Sequence, residues 1–143
     1  MSIYPTILVA INPNDLHAKQ LISKAAIIAE QNQAELHLAY VEKGIFNTHY
    51  LYRDEGLFNF HSGAELELIQ KLHELSQSSP YPVKNIHFAA GEVIKHLEDL
   101  IREVEAKLVI VGHKNKLTHF FGGIEKDLFA DLYCDILQIH CFD

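Results

Sequence analysis

Apolar residues along the chain follow two alternating periods. Thr6 to Ile11 reads Thr-Ile-Leu-Val-Ala-Ile and stops at Asn12-Pro13-Asn14-Asp15. A short apolar, β-branched run closed by turn residues predicts a buried strand. Asn14 or Asp15 stands where it can cap a following helix. Leu21, Ile22, Ala25, Ile28 and Ala29 then recur at helical spacing, which predicts a helix from His17 to Gln33 with one apolar stripe. A second strand is expected over Glu35 to Val41, where Leu36, Leu38 and Tyr40 alternate with His37, Ala39 and Val41.

The later half repeats the scheme. Leu66, Ile69, Leu72 and Leu75 predict a helix from Gly63 to Ser78, broken by Pro80 and Pro82. Val83 to Ala90 reads as a third strand, and Val93, Ile94, Leu97, Leu100, Ile101 and Val104 mark the clearest amphipathic helix. Lys107 to Val111 is a fourth buried strand closed by Gly112. A polar loop from His113 to His119 leads to Phe120-Phe121-Gly122-Gly123, a short helix over Ile124 to Leu132, and a last strand over Ile136 to Phe142. Between the second strand and the second helix, Glu42 to Ser62 lacks either period yet carries Phe46, Tyr50, Tyr52, Phe58 and Phe60. So dense a set of aromatics predicts a segment folded over the domain, not a linker. Strands alternating with helices predict an α/β fold with a mostly parallel sheet, as a single domain over residues 1–143. Ligands of such sheets sit beyond the carboxyl ends of the strands, where the strand order reverses. With the first and fourth strands as neighbours, Asn12 and Gly112 would flank that crevice.

Charge and chemistry narrow the function. The formal net charge is −7 with histidines neutral, and an acidic surface repels phosphate backbones, so no nucleic-acid partner is expected. The N-terminus lacks a basic leader, and no apolar run approaches the ~20 residues of a membrane span, so a cytoplasmic protein with no membrane partner is expected. Two cysteines, Cys134 and Cys141, are too few for a disulfide framework and lack zinc-site spacing. Ten histidines invite a metal reading. None of them forms an i, i+4 pair on an expected helix, and His140 and Cys141 would point to opposite faces of a strand, so no metal site is expected. His37 and His87 fall inside strands, where packing or hydrogen bonding is the expectation. There is no Gly-x-Ser-x-Gly and no Cys-x-x-Cys, and Glu92, Glu98, Asp99, Glu103 and Glu105 read as a solvated helix face. No catalytic residue is assigned, and the protein is expected not to be an enzyme.

The opening Tyr-Pro-Thr-Ile-Leu-Val-Ala-Ile, the strand Leu-Val-Ile-Val-Gly at 108–112 and the final Asp-Ile-Leu-Gln-Ile-His, in this order and spacing, resemble the universal stress proteins over Tyr4 to Ile139. The resemblance implies one open five-stranded parallel sheet of order 3-2-1-4-5 with helices on both faces, as in the adenine-nucleotide alpha hydrolase-like folds. It also implies a stress-protective role and no catalysis. Nucleotide-binding members carry an acidic residue after the first strand and a loop Gly-x2-Gly-x9-Gly-[Ser/Thr] after the fourth. Here Asn12 stands at the acidic position, Gly112 keeps the first glycine, and Asn115 replaces the second. Gly122-Gly123 takes the place of the last pair, three residues early. The shorter loop is similar to that of the UspA class, whose members typically do not bind ATP.

Ala10, Asn12, Gly112, His113, Asn115, Gly122 and Gly123 therefore outline a degenerate nucleotide or anion pocket, with ATP or AMP disfavoured as cofactor. The plainer reading gives the glycines a tight turn and Lys114 and Lys116 a solvated loop. A nucleotide or small-anion sensor using this crevice is the alternative function. The last strand lies at a sheet edge, and an apolar edge needs covering. Family dimers cover it by pairing last strands, which implies a homodimer through Ile136, Leu137, Ile139 and Phe142 and leaves room for an unidentified protein partner.

Overall fold

The computed structural model describes residues 2–43, 50–53, 63–112 and 134–141. Within them the chain forms β1 (Thr6–Ala10), α1 (Ala18–Asn32), β2 (Glu35–Lys43), β3 (Tyr50–Arg53), α2 (Gly63–Ser78), β4 (Val83–Gly91), α3 (Val93–Val104), β5 (Leu108–Gly112) and β6 (Asp135–Ile139). The sheet order is β3-β4-β2-β1-β5-β6. Its five parallel strands, β4-β2-β1-β5-β6, reproduce the expected order 3-2-1-4-5. The apolar first strand is central because both of its faces are covered.

β3 is an addition to the expected sheet. It runs antiparallel along the outer edge of β4, pairing Tyr50 with Ala90 and Arg53 with His87. Part of the aromatic connection is thus spent on blunting an edge. The rest of that connection, and the helix expected over Ile124 to Leu132, lie outside the described residues.

Strand alternation sends side chains to two separate cores. Ile7, Val9, Leu36, Leu38, Ile86, Phe88 and Ile110 face α1 and α2, meeting Leu21, Ile22, Ala25, Leu72 and Leu75. Leu8, Ala10, Ala39, Val41, Ala89, Val109 and Val111 face α3, meeting Ile94, Leu97, Leu100 and Ile101. α3 turns four large aliphatic side chains inward along one stripe, as its i, i+3, i+4 pattern requires.

Two helix ends depart from glycine chemistry. α1 and α3 close on Gln33 (φ 50°) and Glu105 (φ 57°), both left-handed. The start of α1 also differs from the sequence expectation. Neither Asn14 nor Asp15 caps it: His17 holds the N-cap position, with no side-chain bond to the first turn. Asp15 Oδ1 instead accepts the His17 backbone N–H at 2.9 Å, and Asn12 Oδ1 accepts the Asn14 N–H at 2.9 Å. The short polar side chains are used up in successive tight turns before the helix begins.

Candidate functional site

The strand order reverses between β1 and β5. β1 connects onward to β2 on one side, and β5 continues to β6 on the other. Ala10 pairs with Val111 across this seam, so Asn12 and Gly112 leave the sheet beside one another at its carboxyl edge. Buried aliphatic strands lead to both positions. Ile11 and Val111 are sealed in the core, and the Ile11 N–H donates to the Ala39 carbonyl at 2.9 Å. The crevice floor is therefore built into the packed core.

Of the sequence-predicted pocket residues, Ala10, Asn12 and Gly112 are brought together. His113, Asn115, Gly122 and Gly123 lie outside the described residues. Ala10 contributes backbone only, since its methyl group is packed towards α3. Asn12 is half-buried, and its side-chain oxygen is turned into its own loop while its backbone carbonyl accepts the Asp15 N–H at 3.0 Å. The next turn residue is also engaged: Lys71 Nζ on α2 donates to Asn14 Oδ1 at 2.7 Å. Gly112 is buried. A methyl group built there would meet Leu21 Cδ2 at 3.4 Å, an ordinary contact.

Beside this crevice, on the α1–α2 face, an open cleft of about 470 Å³ is lined by Pro13, Leu16, Lys19, Lys71 and Glu74 among others. Its charges are mixed, so it selects neither cations nor anions.

The edge residues divide. Ile136 and Leu137 on β6 are exposed at 38% and 37%. Ile139 turns inward, packing with the core that contains Cys141. Phe142 lies outside the described residues. β6 is tied to the N-terminal half at both ends: Tyr4 Oη donates to Asp135 Oδ2 at 2.9 Å, and Lys24 Nζ donates to the His140 carbonyl at 2.7 Å. Burial, reinforced by Asp135, pushes the Cys134 thiol up to about 11, and burial likewise raises Cys141, so neither is a thiolate nucleophile at neutral pH.

Among the described residues, no three His, Cys, Asp or Glu side chains are grouped to hold a metal ion, and no helix is long and apolar enough to cross a membrane. One polar arrangement was legible in the sequence only as two separate residues. His37 Nδ1 and His87 Nε2 lie 3.2 Å apart between β2 and β4. Each lies within a strand, as the sequence predicts; their pairing depends on register and 50 residues of separation.

A central parallel sheet with two covering helical layers and a switch point between β1 and β5 defines an open, doubly wound α/β domain. The chain belongs to the universal stress protein family, whose sequence model matches residues 3–124. Among curated relatives, the universal stress protein A homolog of Pasteurella multocida is 27% identical over 136 residues, covering 95% of this chain and 96% of that one. Among solved structures, the universal stress protein from Archaeoglobus fulgidus in complex with dAMP superposes with a TM-score of 0.64 at 15% identity, covering 96% of this chain and 98% of that one. A universal stress protein in complex with cAMP superposes with a TM-score of 0.62 at 17% identity, covering 96% and 97%. At these identities the structures establish the shared fold.

Proposed function

We propose that the protein serves the stress response as a non-catalytic member of the UspA class, in the cytoplasm and as a homodimer, with a nucleotide crevice that no longer holds ATP. The observation that carries this reading is the fate of Asn12. It occupies the position at which the resemblance implies an acidic group, and its oxygen accepts the Asn14 N–H within its own turn. A neutral side chain already bonded in its own turn offers a ribose or base a weaker acceptor than a charged carboxylate would. Losing such a bond weakens binding by about 1–3 kcal/mol, and each ~1.4 kcal/mol is tenfold in affinity. The substitution at Asn115 and the shortened loop to Gly122-Gly123 act in the same direction, by crowding and displacing the backbone that would approach phosphate. Calorimetric titration with Mg-ATP at near-physiological salt tests the reading. The expected result is no binding tighter than millimolar, and a low micromolar constant would overturn it.

The solved relatives named as cAMP and dAMP complexes favour one alternative, a sensor of adenine monophosphates or small anions. A monophosphate needs less of the glycine loop than a triphosphate does. Protein purified without added nucleotide, denatured and chromatographed, separates the two readings: stoichiometric AMP would establish the sensor. Dimerisation through β6 is supported by the exposed Ile136 and Leu137 on a sheet edge that no other strand among the described residues pairs.

A further inference from the structure

His37 and His87 are the two polar residues of the described core, each 3% exposed. Their rings are 5.3 Å apart between centroids, tilted at 33°, with the facing nitrogens 3.2 Å apart. At that distance the contact holds one proton, with one nitrogen donating and the other accepting. Both side chains lie on the α3-facing side of the sheet, because His37 alternates with Leu36 and Leu38 and His87 with Ile86 and Phe88.

The pair sits where the ladder is irregular. Leu36 pairs with Val83 but His37 with Asn85, so Lys84 is skipped as a bulge. Lys84 Nζ donates to Glu35 Oε1 at 2.8 Å, and Glu35 Oε2 lies 3.9 Å from His37 Nε2. Glu35 and Lys84 are both about half exposed, at 51% and 55%. A continuous polar string therefore runs from solvent through the bulge to the buried imidazoles.

We propose that Lys84, Glu35, His37 and His87 form a proton-sensing seam between β2 and β4, which loosens the β4 side of the sheet when the surroundings acidify. Two imidazolium rings cannot keep facing nitrogens at 3.2 Å, because both would then donate and both would be charged in a dry site. Glu35 gives protons a route inward. Its carboxyl is held below its ordinary range chiefly by the hydrogen bond from Lys84, so it stays anionic through the titration. Burial, the largest influence, holds the His37 imidazole below its ordinary value; Glu35 opposes this and Lys84 adds to it. Among the described residues these are the charged groups acting on His37. α3 presents Ile94, Leu97, Leu100 and Ile101 to this side of the sheet, and β3 places Arg53 opposite His87 in register.

The sign follows. A histidine with a depressed folded value binds fewer protons in the folded chain than in the unfolded one. Its stabilising effect is complete above the unfolded value of about 6.5 and is lost as pH falls below it.

Amide hydrogen exchange of the full chain at pH 7.5 and 5.5, corrected for intrinsic rates, tests the seam. Protection of residues 37–41 and 85–89 should fall at least about tenfold at the lower pH, with residues 108–111 much less affected. Unchanged protection overturns the proposal. The double variant His37→Phe, His87→Phe keeps two rings but leaves neither able to take a proton, so it should abolish the pH response; a response that persists places the sensor elsewhere and also overturns it. Should that variant fail to fold, imidazole NMR titration of the unmodified protein decides. A coupled His37–His87 transition below the other histidines, coincident with the exchange change, supports the seam. Two independent titrations near the ordinary value of about 6.5 refute it.

Discussion

Gly112 is the residue at which crevice and core meet. Its backbone needs no left-handed angle, since among described glycines only Gly91 has a positive φ, at 135°. Among the described residues a side chain there would meet Leu21 Cδ2 at 3.4 Å, an ordinary contact. We therefore expect Gly112→Ala to leave folding stability within about 0.5 kcal/mol of the parent protein, measured by urea denaturation. A loss several times larger would mean that the backbone at this point depends on the absence of a side chain. The same scale shows what a sequence can and cannot disclose. Asn12 was legible as a turn residue and as a departure from the acidic position, because both follow from local chemistry. The destination of its oxygen was not, since any of the next few N–H groups could have accepted the role of donor. His37 and His87 were legible as strand residues. Their meeting depends on a bulge between Leu36 and His37 that no local pattern encodes.

At the scale of elements, the strands and helices with strong periodicity were all legible, β1, β5 and α3 above the rest. Their apolar spacing reports which face is buried, and the described structure buries that face. β3 was not legible. Four residues, Tyr50 to Arg53, are too few for a period, and they become a strand only because β4 offers them an edge. The helix ends also escape local reading. Gln33 and Glu105 bear side chains in a left-handed conformation that glycine adopts without steric conflict. Replacing either by glycine should raise stability by about 0.5 kcal/mol, the relief of that conflict exceeding the added freedom of the unfolded chain. Thermal unfolding of Gln33→Gly and Glu105→Gly checks this. A lowered melting temperature in both would show that the two side chains hold contacts of greater weight than the backbone relief.

At the scale of the whole molecule, the sheet has one edge covered by β3 and the other ending in β6. The covered side carries a short antiparallel strand. The other presents Ile136 and Leu137, which together look to both faces of the sheet. Ile139 is a poorer probe of association than its position near the end of the strand suggests, because it packs inward and its replacement would damage the core. Leu137→Lys is the cleaner change. It should shift a homodimer towards monomer at least about tenfold in dissociation constant, since two-fold symmetry sets each new charge against its counterpart. Light scattering over a concentration series reads the shift, with circular dichroism confirming the fold. A folded variant that remains dimeric would move the contact to another surface.

β1 is central, yet its two partners are made at very different times. β2 begins at Glu35, while β5, paired through Ile7 and Leu108, begins roughly a hundred residues after β1. At the roughly 5–20 residues per second of synthesis, the ribosome needs on the order of 5–20 s to deliver that second neighbour. During this interval one side of a strand that is apolar from Ile7 to Ala10 has its hydrogen-bonding groups open to any passing extended chain. The nascent protein is thus most exposed to mispairing midway through its own translation, and a chaperone that shields the flank of β1 until Gly112 has emerged would raise the yield of folded molecules without touching the finished one.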